Sequence, residues 1–143
     1  MLRALNNSKK TAFHLASENE HVEVMVLLLR KAANAHLQSE LLTALHSAIE
    51  DDEPQIEVIE ILLRFGANAN MKGPNGNTAL QHPNTLQSPD LMRVLLEKAE
   101  SLNLEIRNKS KYSVLELALK KHRNNRPETR EILKMIFLYK CYN

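Results

Sequence analysis

The chain carries one short sequence three times, as Thr11-Ala12-Phe13-His14-Leu15-Ala16, as Thr43-Ala44-Leu45-His46-Ser47-Ala48 and, in shortened form, as Thr78-Ala79-Leu80-Gln81. The copies begin 32 and 35 residues apart. Self-similarity at a period of about 33 residues is typical of stacked helix-loop-helix repeats. We therefore expect a row of repeated units and not one closed globule.

The composition is that of a helical domain. Of the 143 residues, 43% are hydrophobic and 25% are charged, and the chain contains three Gly and no Trp. So few glycines favour an all-α fold, in a single domain spanning residues 1–143. No apolar run approaches the roughly 18 residues that a membrane-spanning helix needs. The single cysteine, Cys141, cannot form an intramolecular disulfide, so we expect a protein of the cytoplasm or nucleus.

Aligning the copies divides the chain into four units. Their approximate bounds are 7–38, 39–71, 72–104 and 105–143, and Ser113 replaces the threonine in the degenerate fourth unit. Each unit should form two helices joined by a turn and followed by a hairpin loop. The pattern predicts helices near Ala12–Ser17, Val22–Arg30, Ala44–Glu50 and Gln55–Phe65, one after Ser88-Pro89, and two around residues 113–118 and 132–137.

The hexapeptide and its period resemble those of the ankyrin-repeat family, and the resemblance covers nearly the whole chain. It implies an all-α solenoid of about four helix-loop-helix repeats joined by hairpin loops. In that family the threonine hydroxyl caps the first helix and the histidine bonds the backbone of the neighbouring turn. The same roles are thereby implied for Thr11, Thr43 and Thr78, and for His14 and His46.

Departures from the family pattern predict local distortions. Pro83 falls inside the first helix of the third unit, where it removes a hydrogen bond and collides with the preceding turn, so that helix should be short or irregular. Glu20 stands where the family usually has glycine, which predicts strain in the turn between the first two helices. Gly66 follows a second helix at a left-handed position, and Ala32 and Ala99 take its place in the first and third units.

Two units carry insertions between their helices. The second unit has two extra residues within residues 50–54, and the fourth has about six within residues 120–127. Insertions in solenoids map to loops on one face, so we expect an acidic finger and a basic finger. Residues 1–100 carry 9 Lys and Arg against 13 Asp and Glu, whereas residues 101–143 carry 10 against 4. Such an asymmetry can steer a charged partner.

The sequence contains no recognisable catalytic arrangement. A nucleophile with its base, a glycine-rich phosphate loop and a set of metal ligands are all missing at the spacings that such sites require. The histidines of the hexapeptides, His14 and His46, are explained by a structural role. We expect no enzyme activity, no cofactor and no metal.

The expected function is that of a non-catalytic module that binds or occludes a protein through its hairpin tips and concave helix face. The candidate contact residues lie in the predicted hairpins and in the two fingers. They are Gln38, Glu40, Leu41, Asp51, Asp52, Glu53, Lys72, Pro74, Asn75, Asn108, Lys109, Lys111, Tyr112, Arg123 and Arg126.

Narrower interpretations remain open. One is a short inhibitor, similar to viral or bacterial proteins of the inhibitor-of-kappa-B type, which would sequester a host transcription or signalling factor in the cytosol or nucleus. Another is an adaptor or targeting fragment of a larger assembly, such as a ubiquitin-ligase adaptor or a channel domain. A third is nucleic-acid binding through the basic run 120–126, which is disfavoured because that run lacks the interleaved aromatic residues that stack on bases.

Asn70 matches the hairpin asparagine that asparaginyl hydroxylases modify in some ankyrin proteins. The preceding Asn68-Ala69 departs from the acidic-aliphatic pair that such enzymes favour. We therefore prefer a structural role, in which the Asn70 side chain bonds backbone groups of the hairpin.

The two ends of the row predict self-association. No unit follows the apolar stripe of Ile132, Ile136 and Tyr139, and the first unit is expected to expose the neighbourhood of Phe13 and Leu15. Something must cover at least one of these faces, and a second copy of the chain could do so.

Overall fold

The computed structural model describes residues 12–31 and 37–143, without the side chains of Leu37 and Gln38. Within these ranges the chain forms helices and no strand. The all-α class is confirmed. The helices are α1 (Ala12–Glu18), α2 (Val22–Lys31), α3 (Leu37–Glu50), α4 (Ile56–Arg64), a 3-10 helix (Thr85–Gln87), α5 (Pro89–Lys98), α6 (Val114–His122) and α7 (Pro127–Tyr142).

The helices pack as two rows. In each unit the first helix contacts the second, as α1 with α2, α3 with α4, the 3-10 helix with α5, and α6 with α7. The second helices also contact each other along the row from α2 to α4, α5 and α7. Apolar side chains from both rows form one continuous core between them, because each helix buries one stripe against its neighbours. The fully buried members include Phe13, Met25, Leu45, Ile59, Leu62, Leu91, Leu95 and Ile136.

Helix α3 begins earlier than predicted. The expected start near Ala44 is wrong, since the helix runs from Leu37 and takes in the whole hexapeptide. Thr43 therefore caps nothing, and its hydroxyl donates to the carbonyl of Ser39, one turn back, at 3.0 Å. The extension is favoured because Leu41 and Leu45, one helical turn apart, are both fully buried. The capping role predicted for Thr11 lies outside the described residues.

The third unit has no α-helix in its first position, as Pro83 predicts. Turns and the 3-10 helix replace it, so Thr78 caps no α-helix either, and its backbone N–H donates to the side chain of Gln81 at 3.0 Å. Because no regular helix forms here, backbone carbonyls lack their usual partners, and side chains bond them instead. The buried Thr85 hydroxyl donates to the carbonyl of Ala79 at 2.7 Å.

The starts of α5 and α6 agree with the predictions, whereas α7 begins at Pro127, ahead of the predicted 132–137. Ser88 caps α5 through its hydroxyl, with Pro89 as the first helical residue. Ser113 caps α6 in a capping box with Glu116, in which each side chain accepts from the other residue's backbone N–H.

Several residues other than glycine adopt left-handed backbone conformations. Glu20 has φ 56°, which confirms the strained turn. Gly66 has φ 89°, and its counterpart 35 residues later is Ser101 with φ 50°. The expectation that Ala99 takes this place is wrong, because Ala99 has φ −75° and the left-handed residue falls two positions later.

Replacing Glu20→Gly is expected to raise the free energy of unfolding by about 1 kcal/mol, because glycine occupies this region without steric cost. Equilibrium unfolding in urea measures the change. The matched control is Glu20→Ala, which removes the carboxylate but keeps the β-carbon and should give no comparable gain. An equal gain in both variants would assign the effect to charge and contradict the strain.

Polar side chains join the second and third units to the hairpin loops that follow them. Nε2 of His46 lies 3.3 Å from the carbonyl oxygen of Met71, which confirms the predicted bond to the neighbouring turn. Gln81, at the corresponding hexapeptide position, donates to the carbonyl of Ile106, again 25 residues ahead. Gly73 lies against the His46 ring, and a β-carbon there would approach Nδ1 to 2.7 Å. The corresponding prediction for His14 concerns the segment after α2, which includes residues outside the described ranges.

Asn70 makes the second kind of link between units. Its amide nitrogen donates to the carbonyl of Ser101 at 2.8 Å, and its amide oxygen accepts from the backbone N–H of Asn103 at 2.7 Å. Both ends of the side chain are thereby used in bonding the next unit. Asn70 thus has a structural role, as predicted, but its side chain bonds backbone groups of the following segment and not those of its own hairpin.

Two histidines near these links, His46 and His82, have lowered pKa values. Burial lowers the pKa of His46 below its ordinary value of 6.5, although the Met71 carbonyl and the Glu50 carboxylate oppose the shift. Burial also lowers the pKa of His82, with Glu50 again opposing. The Nδ1 atom of His82 accepts from the backbone N–H of Asn84 at 3.1 Å, a bond that requires this nitrogen to be unprotonated.

The free energy of unfolding is expected to fall as the pH is lowered below about 6.5, because the unfolded chain then binds protons that the folded chain does not. The stabilisation is complete above the unfolded pKa and is lost below it. His46→Gln keeps a donor for Met71, as Gln81 does in the next unit, and removes one titrating group. Urea unfolding over this pH range should show a smaller loss in the variant. An identical pH dependence in both proteins would exclude His46 as a contributor.

Candidate protein-binding surface

Two neighbouring hairpin loops, residues 70–77 and 105–112, form one edge of the row. Each loop is closed by a backbone hydrogen bond, from Gly73 to Asn77 at 2.9 Å and from Asn108 to Tyr112 at 3.0 Å. The side chain of Asn108 donates to that of Asn77 at 3.1 Å and ties the two loops together. Of the predicted contact residues in these loops, Asn108 and Tyr112 are half-buried, and the exposed ones are Lys72, Pro74, Asn75, Lys109 and Lys111.

The predicted contact residues before the second unit do not form such a loop. Gln38, Glu40 and Leu41 all lie in α3, since that helix extends to Leu37. Leu41 is fully buried in the core, so the expectation that it contacts a partner is wrong. Glu40 is half-buried, and only the helical position of Gln38 is described.

The acidic finger, residues 50–54, lies between α3 and α4 on the opposite edge from the hairpin loops. Asp51, Asp52 and Glu53 are exposed, as predicted. The third unit holds the finger's backbone in place, because the amide of Asn84 donates to the carbonyls of Ile49 at 2.7 Å and Asp51 at 3.2 Å. The carboxylates are therefore presented on an ordered loop.

The basic finger, residues 120–127, joins α6 to α7 on the same edge. Arg123 and Arg126 are exposed, and they occupy the C-cap of α6 and the N-cap of α7. The ammonium group of Lys121 donates to the carbonyl of Pro83 at 3.4 Å. Burial lowers the pKa of Lys121, and the positive charge of Arg126 lowers it further. The fingers thus lie on either side of the segment containing Pro83 and Asn84.

The hairpin loop 105–112 ends in an aromatic residue, Tyr112, which lies beside a lysine of α6. The Nζ atom of Lys120 is 4.4 Å from the centroid of the Tyr112 ring and 3.3 Å from its hydroxyl oxygen. A cation over the face of an aromatic ring is attracted by the ring quadrupole. On the same helix, hydrogen bonds from the Ser113 backbone and from Arg107 lower the pKa of Glu116.

The end faces differ from the expectation. Ile132 and Ile136 are buried at 1% and 0% exposure, so they belong to the core and not to an open stripe. At the other end Phe13 is fully buried, whereas Leu15 is exposed at 36%, as expected. The exposed apolar side chains of the C-terminal unit are different ones: Leu119, Phe137, Leu138 and Tyr142. Cys141 is exposed.

Among residues 12–31 and 37–143 no three histidine, cysteine or carboxylate side chains are grouped as ligands of a metal ion. The helices of these same segments include none with the length and apolarity to cross a membrane.

Comparison with known proteins identifies the kind of repeat. A sequence model of the family described as "Ankyrin repeats (3 copies)" matches residues 2–72. The structure resembles that of an ankyrin repeat domain from Acinetobacter baumannii AYE with a TM-score of 0.70. That match covers 98% of this chain and 69% of the other, at 17% sequence identity.

Curated relatives are much longer proteins. Transient receptor potential cation channel subfamily A member 1 of Homo sapiens is 29% identical over 100 residues, which cover 68% of this chain and 9% of that protein. Ankyrin repeat and KH domain-containing protein mask-1 of Caenorhabditis elegans is 32% identical over 89 residues, covering 62% and 3%. Transient receptor potential channel pyrexia of Drosophila melanogaster is 40% identical over 60 residues, covering 42% and 6%. This chain spans less than a tenth of the length of these relatives.

The hexapeptide period, the two rows of helices, the match to the family model and the structural neighbour agree with one another. On these grounds the chain is a member of the ankyrin-repeat family.

Proposed function

We propose that this chain is a non-catalytic binding module that recognises a protein partner through the hairpin loops 70–77 and 105–112 and the adjoining first-row surface. Ankyrin repeats are in general protein-protein interaction modules. The observation that carries the proposal is the way in which these loops are held. Their backbones are fixed by the bonds from His46 and Gln81, and Asn70 at the start of the first loop bonds Ser101, just before the second, while the tips remain exposed.

Such an arrangement favours binding because little conformational entropy is lost when a pre-formed loop meets a partner. The exposed tips, with Lys72, Pro74 and Asn75 in one loop and Lys109 and Lys111 in the next, take no part in the core. The side chains at these positions can therefore be chosen for binding a partner without disturbing the core.

In this proposal the module acts by occluding or positioning its partner. A transcription or signalling factor held in the cytoplasm or nucleus is one form of partner, and the single cysteine, Cys141, suits a reducing compartment.

A second candidate is an assembly role within a larger complex. The relatives favour it, since their matched repeats form a small part of long proteins, two of which are named as channels.

Photo-crosslinking tests the proposed surface. A photoreactive amino acid at Asn75 or at Lys109 is expected to cross-link a protein from a cell extract, since both side chains are exposed on hairpin tips. The matched control carries the same group at Glu97, an exposed position on α5 in the second row. Mass spectrometry of the products identifies the partner.

Equal cross-linking from Glu97 and from the tips would contradict the proposed surface. A cross-linked product that is nucleic acid and not protein would contradict the proposed class of partner.

A further inference from the structure

Three carboxylates of the C-terminal unit are paired with cations outside the hairpin tip and the basic finger. Glu105 pairs with Lys140 at 2.6 Å and Glu131 pairs with Arg93 at 3.0 Å. Both partners belong to second-row helices. Glu116 pairs with Arg107 at 2.9 Å and also accepts from the Ser113 backbone. Three of the four carboxylates after residue 100 are thus used in holding the fold together.

Eight of the ten Lys and Arg residues after residue 100 have no carboxylate partner among the described residues, and six of these lie in the hairpin loop 105–112, at the end of α6 or in the basic finger. No carboxylate of the described residues lies within 4.0 Å of any of them. We call these six residues the basic face, and its members are Lys109, Lys111, Lys120, Lys121, Arg123 and Arg126.

The basic face is continuous from the hairpin tip to the basic finger. The side chain of Lys109 packs over Gly76 at one end. Lys120 extends back along α6 to the ring of Tyr112, just after the tip. At the other end Lys121 reaches the carbonyl of Pro83 and lies close enough to Arg126 for the two charges to repel.

We propose that the basic face binds an acidic segment of a protein partner, in an extended conformation along α6. This inference rests on the proposed function and names the chemistry of its partner. The nine residues of α6 span about 14 Å, which an extended chain covers in about four residues. With the hairpin tip and the finger at either end, the whole face accommodates about six to eight residues carrying several Asp or Glu.

The surroundings favour an acidic protein segment over a nucleic acid. Single-stranded nucleic acids bind through aromatic rings that stack on bases as well as through cations. Here the ring of Tyr112 is covered by Lys120 and offers no open face on that side. A polyanion that continued past Pro83 would also meet Asp51, Asp52 and Glu53 of the acidic finger, so only a short anionic stretch fits.

Binding of this kind depends on ionic strength. Pairs between exposed charges are individually weak and are screened over about 10 Å at 0.1 M salt, so the affinity comes from several cations acting together. Neutralisation also removes the repulsion between Lys121 and Arg126, which favours the bound state.

The test uses the folded chain and a fluorescent octapeptide of alternating Glu and Ala, with binding followed by anisotropy at low and at high salt. The double substitution Lys121→Glu and Arg126→Glu is expected to weaken binding at least tenfold. The control substitutions Lys98→Glu and Lys134→Glu change the net charge equally at exposed second-row positions and should alter affinity less than twofold. Circular dichroism verifies that both variants are folded.

Equal weakening in the control variant would overturn the proposal, because net charge and not the basic face would then govern binding. Tighter binding of an oligothymidine of equal charge would overturn it in favour of a nucleic acid. Self-association that disappears on reversing either finger would overturn it in favour of a second copy. If the cross-links from Asn75 and Lys109 persist in the Lys121→Glu, Arg126→Glu variant, the binding module stands and only the acidic segment fails.

Discussion

The structure depends on one recurring requirement, that backbone carbonyls in each hairpin loop must find a donor in the unit before it. A carbonyl without a partner costs up to about 1–3 kcal/mol when it is fully buried, and the carbonyls concerned here lie in partly buried contacts. His46 supplies the donor to Met71, and Gln81 supplies it to Ile106 from the corresponding position. The imidazole of His46 and the primary amide of Gln81 each carry a nitrogen donor at a similar distance from the backbone. Either side chain can therefore occupy this position of the hexapeptide. The close approach of Gly73 to the His46 ring belongs to the same constraint.

The same requirement explains how the third unit survives a proline in its first helix. Pro83 removes the regular hydrogen bonds of that segment, but side chains replace them locally. Thr85 bonds Ala79 within the unit, and Asn84 bonds Ile49 in the preceding one. The irregular segment thereby becomes the point at which the acidic finger is held on one side and Lys121 on the other. The irregular segment of the third unit thus contacts both the second and the fourth unit.

Much of the fold is predictable from the sequence because the repeat period and the capping residues act locally. The turn at Glu20, the start at Ser88 and the irregular segment at Pro83 follow from such local rules. The length of α3 does not, because the burial of Leu41 is decided by packing against neighbouring helices. That error removes Leu41 from the candidate site. The basic face was only partly predictable, since pairs such as Lys140 with Glu105 join residues 35 positions apart and leave no trace in the sequence.

The ion pairs of α7 also bear on how the array comes apart. Repeat proteins behave as nearly one-dimensional chains, in which a terminal unit can open while the rest stays folded. Here Arg93 and Glu105, which precede the fourth unit's helices, are both clamped to α7, through Glu131 and Lys140 respectively. Each pair is exposed and weak alone, but α7 also buries Ile132 and Ile136 in the shared core and contacts α5, so it is expected to open together with these earlier segments. The C-terminal half of the molecule should accordingly exchange its amide hydrogens as one cooperative block.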